Sequence, residues 1–345
     1  MYLGYGAYHK LRLSKASNLE AFIVHNTTST TTSITTTLRT TMPTTEEGVH
    51  RIGDHELYTK SWLPDQPALA KLIFIHGFND HINRYYDLFP SLAARGISVH
   101  GFDQRGWGQS VKSSSHAGLT GPTPLVISDI VSFIETHLPS PIPVFAMGHS
   151  MGGGEAMILA SSPEHQELTA SIRGWILESP FIAFPKGFEP SSVTVFFGRL
   201  AGRLLPRMKK LAPLPPENLS RDPAVVASLK EDKLLHDTGT LEGLSGMLDR
   251  TAALSQGKTT LNKGVRSLWL GHGTKDMGTC YEASRKWFEQ QRDVEDKEFK
   301  SYEGWYHQLH ADLPDNRDVF AKDVGDWVLA RVGEGDVGVK PSSKL

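Results

Sequence analysis

The segment Gly148-His149-Ser150-Met151-Gly152 constrains the fold of this chain more than any other part of the sequence. It follows an apolar run and begins a stretch of small residues with helical spacing, so it is expected to join a strand to a helix. Glycines on both sides of the serine allow a tight turn that approaches its neighbours closely. Such a turn presents a serine hydroxyl at the carboxyl end of a parallel sheet, which predicts Ser150 as a nucleophile.

Short apolar runs alternate with longer segments of helical period from about residue 57 onward. The predicted strands are 71–75, 97–102, 143–147, 172–177 and 265–270. The predicted helices are 125–137, 151–160, 281–291 and 319–332. This alternation is typical of an α/β protein with a mostly parallel central sheet flanked by helices. It stops over about 180–263, where prolines cluster, so we interpret that stretch as a mainly helical cap inserted in a catalytic domain of residues 49–335.

Ser150 alone cannot complete this chemistry, because a serine hydroxyl is a weak nucleophile that needs a base and a carboxylate to orient the base. After a turn of this kind, the acid and then the histidine follow along the chain, each in a loop after a strand. Asp276 lies in the loop after the predicted strand 265–270, so it is the predicted acid. Asp237 and Asp249 lie in the cap and fit this order less well.

His307 is the predicted base, because it follows a short strand-like segment at 299–302 and a turn that contains a glycine. His310 is its competitor three residues later, and we expect it inside a following helical segment. Three further histidines are interpreted as packing or hydrogen-bonding residues of loop turns: His76, His149 and His272. No trio of histidine or carboxylate residues has the spacing of a metal site, so the sequence predicts neither a metal nor another cofactor.

Acyl transfer also places negative charge on an oxygen of the intermediate, which preorganised backbone N–H groups can stabilise. Met151, the residue after the predicted nucleophile, is expected to supply one such N–H group. The second is expected from the turn His76-Gly77-Phe78 after the predicted strand 71–75, where the N–H of Phe78 is the candidate. The alternative is that His76-Gly77 forms only a tight turn and that the N–H of Phe78 has no catalytic role.

Composition argues against several classes of function. The chain has 36 lysine and arginine residues against 38 aspartate and glutamate, so no basic excess would attract nucleic acid. The single cysteine, Cys280, excludes an intrachain disulfide framework and a cysteine-rich metal site, and it fits a reducing compartment. No stretch approaches the roughly 20 apolar residues that span a bilayer. The N-terminal segment lacks the apolar core of a secretory signal, so we expect an unsecreted chain.

Residues 1–48 are interpreted as a disordered extension, because threonine and serine dominate 27–45 and apolar residues there are too sparse to pack. Before this tract, three basic residues stand against a single acidic one, which is a weak feature of a mitochondrial presequence. An alternative is that the natural chain starts at Met42 and the segment before it does not belong to the protein. The sequence leaves the choice between Met1 and Met42 open. At the other end, residues 336–345 are expected to form a flexible tail.

Several segments together resemble the monoacylglycerol lipases, within the hydrolase family that also contains serine aminopeptidases and lysophospholipases. The likeness rests on His76-Gly77-Phe78 with Arg84-Tyr85, Phe102-Asp103-Gln104-Arg105-Gly106 with Gly108 and Ser110, Gly148-His149-Ser150-Met151-Gly152-Gly153, Gly271-His272-Gly273 to Asp276, and Tyr302-Glu303-Gly304 with Tyr306-His307 and Leu309-His310. It runs from about residue 57 to residue 332 and is weakest across the cap.

The resemblance implies the α/β-hydrolase fold and a monoacylglycerol or similar single-chain ester as substrate. It also implies the triad Ser150, Asp276 and His307, with Phe78 and Met151 as oxyanion donors. The N-terminal extension departs from the pattern, and the cap residues that would shape an acyl tunnel cannot be matched one by one.

The predicted cap contains a basic amphipathic segment. Two sets of side chains recur there at helical spacing on different sides, one apolar and one basic: Phe197, Leu200 and Leu204, and Arg199, Arg203 and Arg207. One interpretation is transient contact with a membrane or lipid-droplet surface, with Lys209 and Lys210 adding attraction to anionic headgroups. The other is that the apolar side covers the active site while the basic side is solvated. Pro206 limits the helix, so any anchoring is expected to be weak and reversible.

The last three residues, Ser343-Lys344-Leu345, match the address that the peroxisomal import receptor reads. The residues just before them have a composition flexible enough to enter a receptor. We therefore expect a peroxisomal protein, with a cytoplasmic or lipid-surface pool beside it.

Three functions remain open at this point. An esterase or lipase that forms an acyl-enzyme on Ser150 accounts for every motif, and a lysophospholipase is a variant of it. An aminopeptidase or amidase needs an acidic group near the cleft to hold a substrate ammonium, for which Glu178 and Glu189 are candidates without a distinguishing context. A noncatalytic ligand-binding relative of the same fold is disfavoured by a complete triad in the expected order.

Overall fold

An eight-stranded sheet forms the centre of the structure, a computed structural model that describes residues 43–333. The strands, in chain order, are β1 (Thr44–Ile52), β2 (His55–Leu63), β3 (Ala70–Ile75), β4 (Ile97–Phe102), β5 (Val144–His149), β6 (Gly174–Glu178), β7 (Lys209–Leu211), β8 (Thr238–Thr240), β9 (Ser267–Gly273) and β10 (Asp296–Tyr302). The sheet has the order β1-β2-β4-β3-β5-β6-β9-β10, whereas β7 and β8 form a separate antiparallel pair. In the large sheet, β2 is antiparallel to both its neighbours and the other pairings are parallel.

Helices pack on both faces of this sheet. In chain order, the α-helices are α1 (Leu88–Ala94), α2 (Thr123–Glu135), α3 (Met151–Ser161), α4 (Gln166–Ser171), α5 (Ser192–Leu204), α6 (Pro223–Glu231), α7 (Leu241–Ser255), α8 (Tyr281–Gln290) and α9 (Pro314–Leu329), of which α1 and α9 cover one face of the sheet and α2, α3 and α8 the other. Successive residues of a strand point to opposite faces, so Leu72 and Phe74 join the apolar layer of α1 and α9. Ile73 and Ile75 join the layer of α2, α3 and α8. This arrangement confirms the predicted α/β-hydrolase fold class.

The five predicted strands correspond to β3, β4, β5, β6 and β9, with boundaries that differ by a few residues. The four predicted helices correspond to α2, α3, α8 and α9. The last of these begins at Pro314, five residues before its predicted start at 319, because proline suits the first turn of a helix. β1, β2 and α1 were not predicted.

The structure corrects the boundary of the N-terminal extension. Thr44–Ile52 pairs with β2 along its whole length, from Thr44 opposite Leu63 to Ile52 opposite His55. As an edge strand, β1 is mostly exposed, so it lacks the apolar alternation that marks a buried strand. Its threonines resemble a disordered tract in composition, yet β-branched residues suit extended backbone. The expectation of disorder was therefore wrong for 44–48, whereas residues 1–42 and the predicted tail at 336–345 lie outside the described residues.

The cap follows β6 and carries α5, α6 and α7 together with the β7–β8 pair. The sequence predicted the helical character of this insertion but not the two strands, because three-residue strands have no readable period. Leu219, Val225 and Leu229 of the cap pack against Ala311 of the core. Within 43–333, no helix is both long enough and apolar enough to cross a membrane.

Candidate active site

Ser150 stands in a strained turn between β5 and α3. Its φ of 52° and ψ of −117° are uncommon for a residue with a side chain. Two backbone hydrogen bonds hold the turn: the N–H of Ser150 donates to Glu178 O (3.0 Å), and Ser150 O accepts from the N–H of Phe181 (2.8 Å). Close packing explains the flanking glycines, because a Cβ atom at Gly148 would lie 2.5 Å from the carbonyl oxygen of Gly152. The turn lies at the carboxyl end of the parallel sheet, the position predicted for a nucleophile.

Asp276 and His307 form a hydrogen-bonded pair, although 31 positions separate them along the chain. Their contact joins His307 Nδ1 to Asp276 Oδ2 at 2.8 Å. Asp276 follows β9 and His307 follows β10, and these strands are parallel neighbours, so the loops at their carboxyl ends meet. The structure thus brings the predicted acid and the predicted base together.

The Asp276 carboxylate is fully buried and surrounded by donors. Oδ1 accepts from the N–H groups of Gly278 (2.6 Å) and Thr279 (2.9 Å), and Oδ2 also accepts from the Thr279 hydroxyl (2.8 Å). His272 Nε2 lies 2.9 Å from Oδ2. Burial by itself would raise the pKa of Asp276, but the attraction of His307 and the hydrogen bonds from both histidines lower it far below its ordinary value. His272 was interpreted as a turn residue, and its position four residues before Asp276 was the signal that could have indicated this contact.

The ionisation of His307 follows from the same pair. Burial lowers the pKa of His307, but the negative charge of Asp276 and their hydrogen bond outweigh burial and raise the pKa above its ordinary value of 6.5. Because Nδ1 faces the carboxylate, the proton of the neutral ring belongs on Nδ1. Nε2 is therefore left as the acceptor that a general base requires.

Two cavities meet at Ser150 and His307. The larger, here called the apolar chamber, has a volume of about 510 Å³ and is lined mainly by hydrocarbon, including Phe181, Phe184, Leu241, Leu248 and Met277. The smaller, here called the polar chamber, has a volume of about 310 Å³ and is lined in part by polar side chains, including Asn79, Asp80, Asp232, Asp237 and Gln308. The Ser150 side chain is thus exposed to two environments of different polarity.

Of the predicted oxyanion donors, Phe78 lines both chambers and Met151 lines the apolar chamber beside Ser150. The turn that contains Phe78 follows β3, the parallel neighbour of β5, and a Cβ atom at Gly77 would lie 3.1 Å from Ser150 Cβ. His76 fixes this turn through a hydrogen bond between Nδ1 and Gly77 O (2.8 Å). Among the described residues, no acceptor is found for the N–H of Phe78 or of Met151, so both can donate to a bound oxygen.

The less favoured candidates have other partners. Asp237 lines the polar chamber and accepts a hydrogen bond from Asn79 Nδ2 (2.7 Å), while Asp249 forms an ion pair with Arg199 (2.5 Å). Glu189 is exposed and accepts from the N–H of Gly187 (2.7 Å).

His149, Glu178 and His310 form a buried cluster that no sequence motif indicates. Their potential ligand atoms lie within 4.8 Å of one another, so the described residues do contain a trio of metal-donor types, against the expectation from spacing. The three come from β5, β6 and the loop after β10, and segments so far apart along the chain give no spacing signal. His310 faces Glu178 and not Asp276, which separates it from the predicted base.

The fold and the strained serine turn at the sheet edge define an α/β hydrolase. The sequence matches the family model described as serine aminopeptidase, S33, over residues 66–314. It is 32% identical over 279 residues to a putative monoglyceride lipase of Schizosaccharomyces pombe, covering 79% of this chain and 71% of that protein. Identity to the monoglyceride lipase of Mus musculus is 26% over 289 residues, with 83% and 90% covered. The chain therefore belongs to the serine aminopeptidase S33 family.

A solved structure supports the same fold. The soluble variant of monoglyceride lipase from Saccharomyces cerevisiae, in complex with a substrate analogue, superposes with a TM-score of 0.74. The match covers 85% of this chain and 97% of that one at 22% identity, which supports the fold alone. The resemblance to monoacylglycerol lipases that the sequence motifs indicate is confirmed by the two sequence relatives.

Proposed function

We propose that this protein hydrolyses monoacylglycerols, or similar single-chain esters, to a free fatty acid and glycerol through an acyl-enzyme on Ser150. The observation that carries the proposal is the junction of the apolar and polar chambers at Ser150 and His307. An acyl chain is stabilised by apolar burial, whereas the hydroxyls of glycerol need polar partners. The similarity to relatives named as monoglyceride lipases supports the same substrate.

The proposed reaction uses the groups at the junction. His307 Nε2 takes the proton of Ser150 as Oγ attacks the ester carbonyl, and Asp276 stabilises the imidazolium that forms. The N–H groups of Phe78 and Met151 bind the oxyanion of the intermediate. The ester C–O bond breaks as His307 gives its proton to the glycerol oxygen. Water then attacks the acyl-enzyme with His307 again as base, which releases the fatty acid and restores Ser150.

A substrate panel tests this proposal with wild type and Ser150→Ala. The panel contains monoacylglycerols of several chain lengths, a diacylglycerol, a lysophospholipid and an aminoacyl amide. We expect hydrolysis of monoacylglycerol by wild type only, together with fluorophosphonate labelling that Ser150→Ala abolishes. Release from the aminoacyl amide alone would overturn the substrate class, and the absence of both hydrolysis and labelling would favour a binding protein.

The aminopeptidase alternative has weaker support. It needs a carboxylate that faces the substrate, yet Glu178 is fully buried against His310 and Glu189 is exposed at the surface. Of the acidic groups in the polar chamber, Asp232 is already paired with Arg84 (2.8 Å). The amide member of the panel decides between the two functions.

We also propose transient contact of the cap with a lipid surface. The supporting observation is a set of large apolar side chains exposed on and around α5: Phe188, Val193, Phe196, Phe197, Leu200, Leu204, Leu205, Met208 and Leu211. Basic residues accompany them on α5 and β7, which favours anionic headgroups. Sedimentation with vesicles tests this: Phe197→Ser with Leu204→Ser should reduce binding, and Val319→Ser, at an exposed apolar position on α9, should not. Equal binding by all variants would contradict the proposal.

Import into peroxisomes is proposed from Ser343-Lys344-Leu345, which lie outside the described residues. A fluorescent reporter fused ahead of the intact tail should accumulate in peroxisomes, and the same fusion without Leu345 should stay diffuse. A diffuse signal from both fusions would remove this proposal.

A further inference from the structure

A second histidine–carboxylate pair lies beneath Ser150 and has no part in the reaction described above. Glu178 ends β6, which pairs with β5, the strand that leads into the serine turn. Glu178 Oε1 lies 2.7 Å from His310 Nδ1 and also accepts from the backbone N–H of His310 at 3.1 Å. One carboxylate oxygen thus fixes both the ring and the backbone of His310.

This pair is closed to substrate. Both side chains have 0% exposure, and neither lines the apolar or the polar chamber. The ring of Tyr85 packs against His310 with centroids 4.2 Å apart. Burial lowers the pKa of His310 to about 3, so the ring is neutral at physiological pH. The pair can therefore act on the reaction only through position and charge.

Glu178 contacts the two segments that must stay aligned. Its backbone oxygen accepts from the N–H of Ser150, as described above, and its side chain holds His310, three residues after His307 in the same loop. The His149 ring lies between the two histidines of that loop, with centroids 4.9 Å from His307 and 5.0 Å from His310. Glu178 therefore links the two segments, through its backbone oxygen to the Ser150 turn and through its carboxylate to His310, and its Oε2 lies 3.5 Å from His149 Nδ1 between them.

The charged groups that face His307 come from several elements. Asp276 follows β9 and has the largest effect among them, and Glu178 in β6 and Asp80 after β3 add negative charge that also raises the pKa of His307. Burial raises the pKa of Glu178 itself, whereas His149, the backbone N–H of His310 and His307 oppose that rise and favour the carboxylate. His149 in β5 is neutral, because burial lowers its pKa well below the ordinary value.

We propose that Glu178 is a positioning residue that ties the loop of His307 to the turn of Ser150 and supplies a second negative charge behind the base. During acyl transfer His307 becomes an imidazolium, so a fixed carboxylate behind it stabilises the transition state more than the ground state. This inference rests on the proposed function, because it assigns a role toward the base of that reaction.

Glu178→Gln tests the charge, because glutamine keeps the size and the acceptor oxygen of glutamate. With p-nitrophenyl butyrate as substrate, we expect kcat to fall about 10-fold with little change in KM, since the variant loses the negative charge that stabilises the imidazolium in the transition state. The acid limb of kcat/KM should move to lower pH. The control is Glu298→Gln, an exposed position on β10, which should change neither. An acid limb at the wild-type pH would overturn the proposal, since a merely structural role would lower the rate without moving it.

Variants of His310 test the link between the His307 loop and the Ser150 turn without changing a charge. The amide of His310→Asn can place an N–H near the position of Nδ1, whereas His310→Leu cannot. We expect His310→Asn to retain more of kcat than His310→Leu, with circular dichroism confirming that both are folded. Equal losses would contradict the positioning role. Wild type must first show Ser150-dependent hydrolysis or labelling, and failure at that step counts against the proposed function and not against the role of Glu178.

Discussion

A buried ion pair joins the helix after the nucleophile to the cap, and its removal should destabilise the protein in a pH-dependent way. Arg250 on α7 lies 3.0 Å from Glu155 Oε1 on α3 and also donates to Thr123 Oγ1 at 2.9 Å. Glu155 has 1% exposure and Arg250 has 7%. Burial raises the pKa of Glu155 from 4.5 to about 7, although the attraction of Arg250 opposes this rise.

The size of the effect follows from these contacts. Arg250→Met leaves a buried carboxylate without its partner, which should lower the free energy of unfolding by about 3–5 kcal/mol at pH 8. Because the folded pKa of Glu155 is raised, its contribution to stability is fully present below pH 4.5 and is lost as the pH rises through about 7. Removal of Arg250 raises the pKa of Glu155 further, so its carboxyl stays protonated at pH 8 in the variant, one pH unit above the wild-type pKa of about 7. The loss in Arg250→Met should therefore be about 1 kcal/mol smaller at pH 5 than at pH 8.

Urea unfolding at pH 5 and pH 8 measures this for wild type, Glu155→Gln, Arg250→Met and the double variant. Glu155→Gln removes the titrating group, so its loss relative to wild type should be about 2–3 kcal/mol larger at pH 5 than at pH 8, where wild type has itself lost the contribution of Glu155. The double variant buries neither charge, so it should lose less than either single variant. An Arg250→Met loss that is equal at both pH values would refute the argument, as would a double-variant loss equal to the sum of the single losses.

Two further predictions concern the base and the serine turn. Asp276→Asn should lower kcat about 10⁴-fold and move the acid limb of kcat/KM to lower pH, because the charge that raises the pKa of His307 is lost; a pH–rate profile checks this. Gly152→Ala should prevent stable folding, because its Cβ atom would lie 2.5 Å from His76 O and still closer to Ile75 O. Gly198→Ala, where nothing lies within 4 Å, is the matched control, and thermal unfolding compares the two.

The sequence predicted those parts of the site that depend on local geometry or on order along the chain. A serine flanked by glycines at the end of a strand favours one tight strand-to-helix turn. The conformation around Ser150 could therefore be predicted from the sequence alone. Asp276 and His307 were predicted from their positions after strands, because parallel strands bring their following loops to one edge.

Other parts could not be predicted, for identifiable physical reasons. β1 is an exposed edge strand, so its sequence lacks the alternation of apolar and polar residues that would distinguish a strand from a disordered tail. The contact between Glu178 and His310 joins residues 132 positions apart. Each of them alone resembles an ordinary packing or surface residue, and only the order β5-β6-β9-β10 brings them under the nucleophile.

The two chambers are built by different segments, and this division predicts how chain-length preference can be changed. The proposed triad comes from loops of the core sheet, whereas much of the apolar chamber comes from α5, α7 and the segment after β6. Leu248→Trp on α7 should fill part of that chamber without contacting the triad. At about 0.8 kcal/mol per buried methylene, exclusion of two methylenes should shift the kcat/KM ratio of long-chain to short-chain monoacylglycerols about 10-fold toward the short chain. Fluorophosphonate labelling of Ser150 should keep its wild-type rate. An equal loss on all chain lengths would mean that the acyl chain does not occupy this chamber.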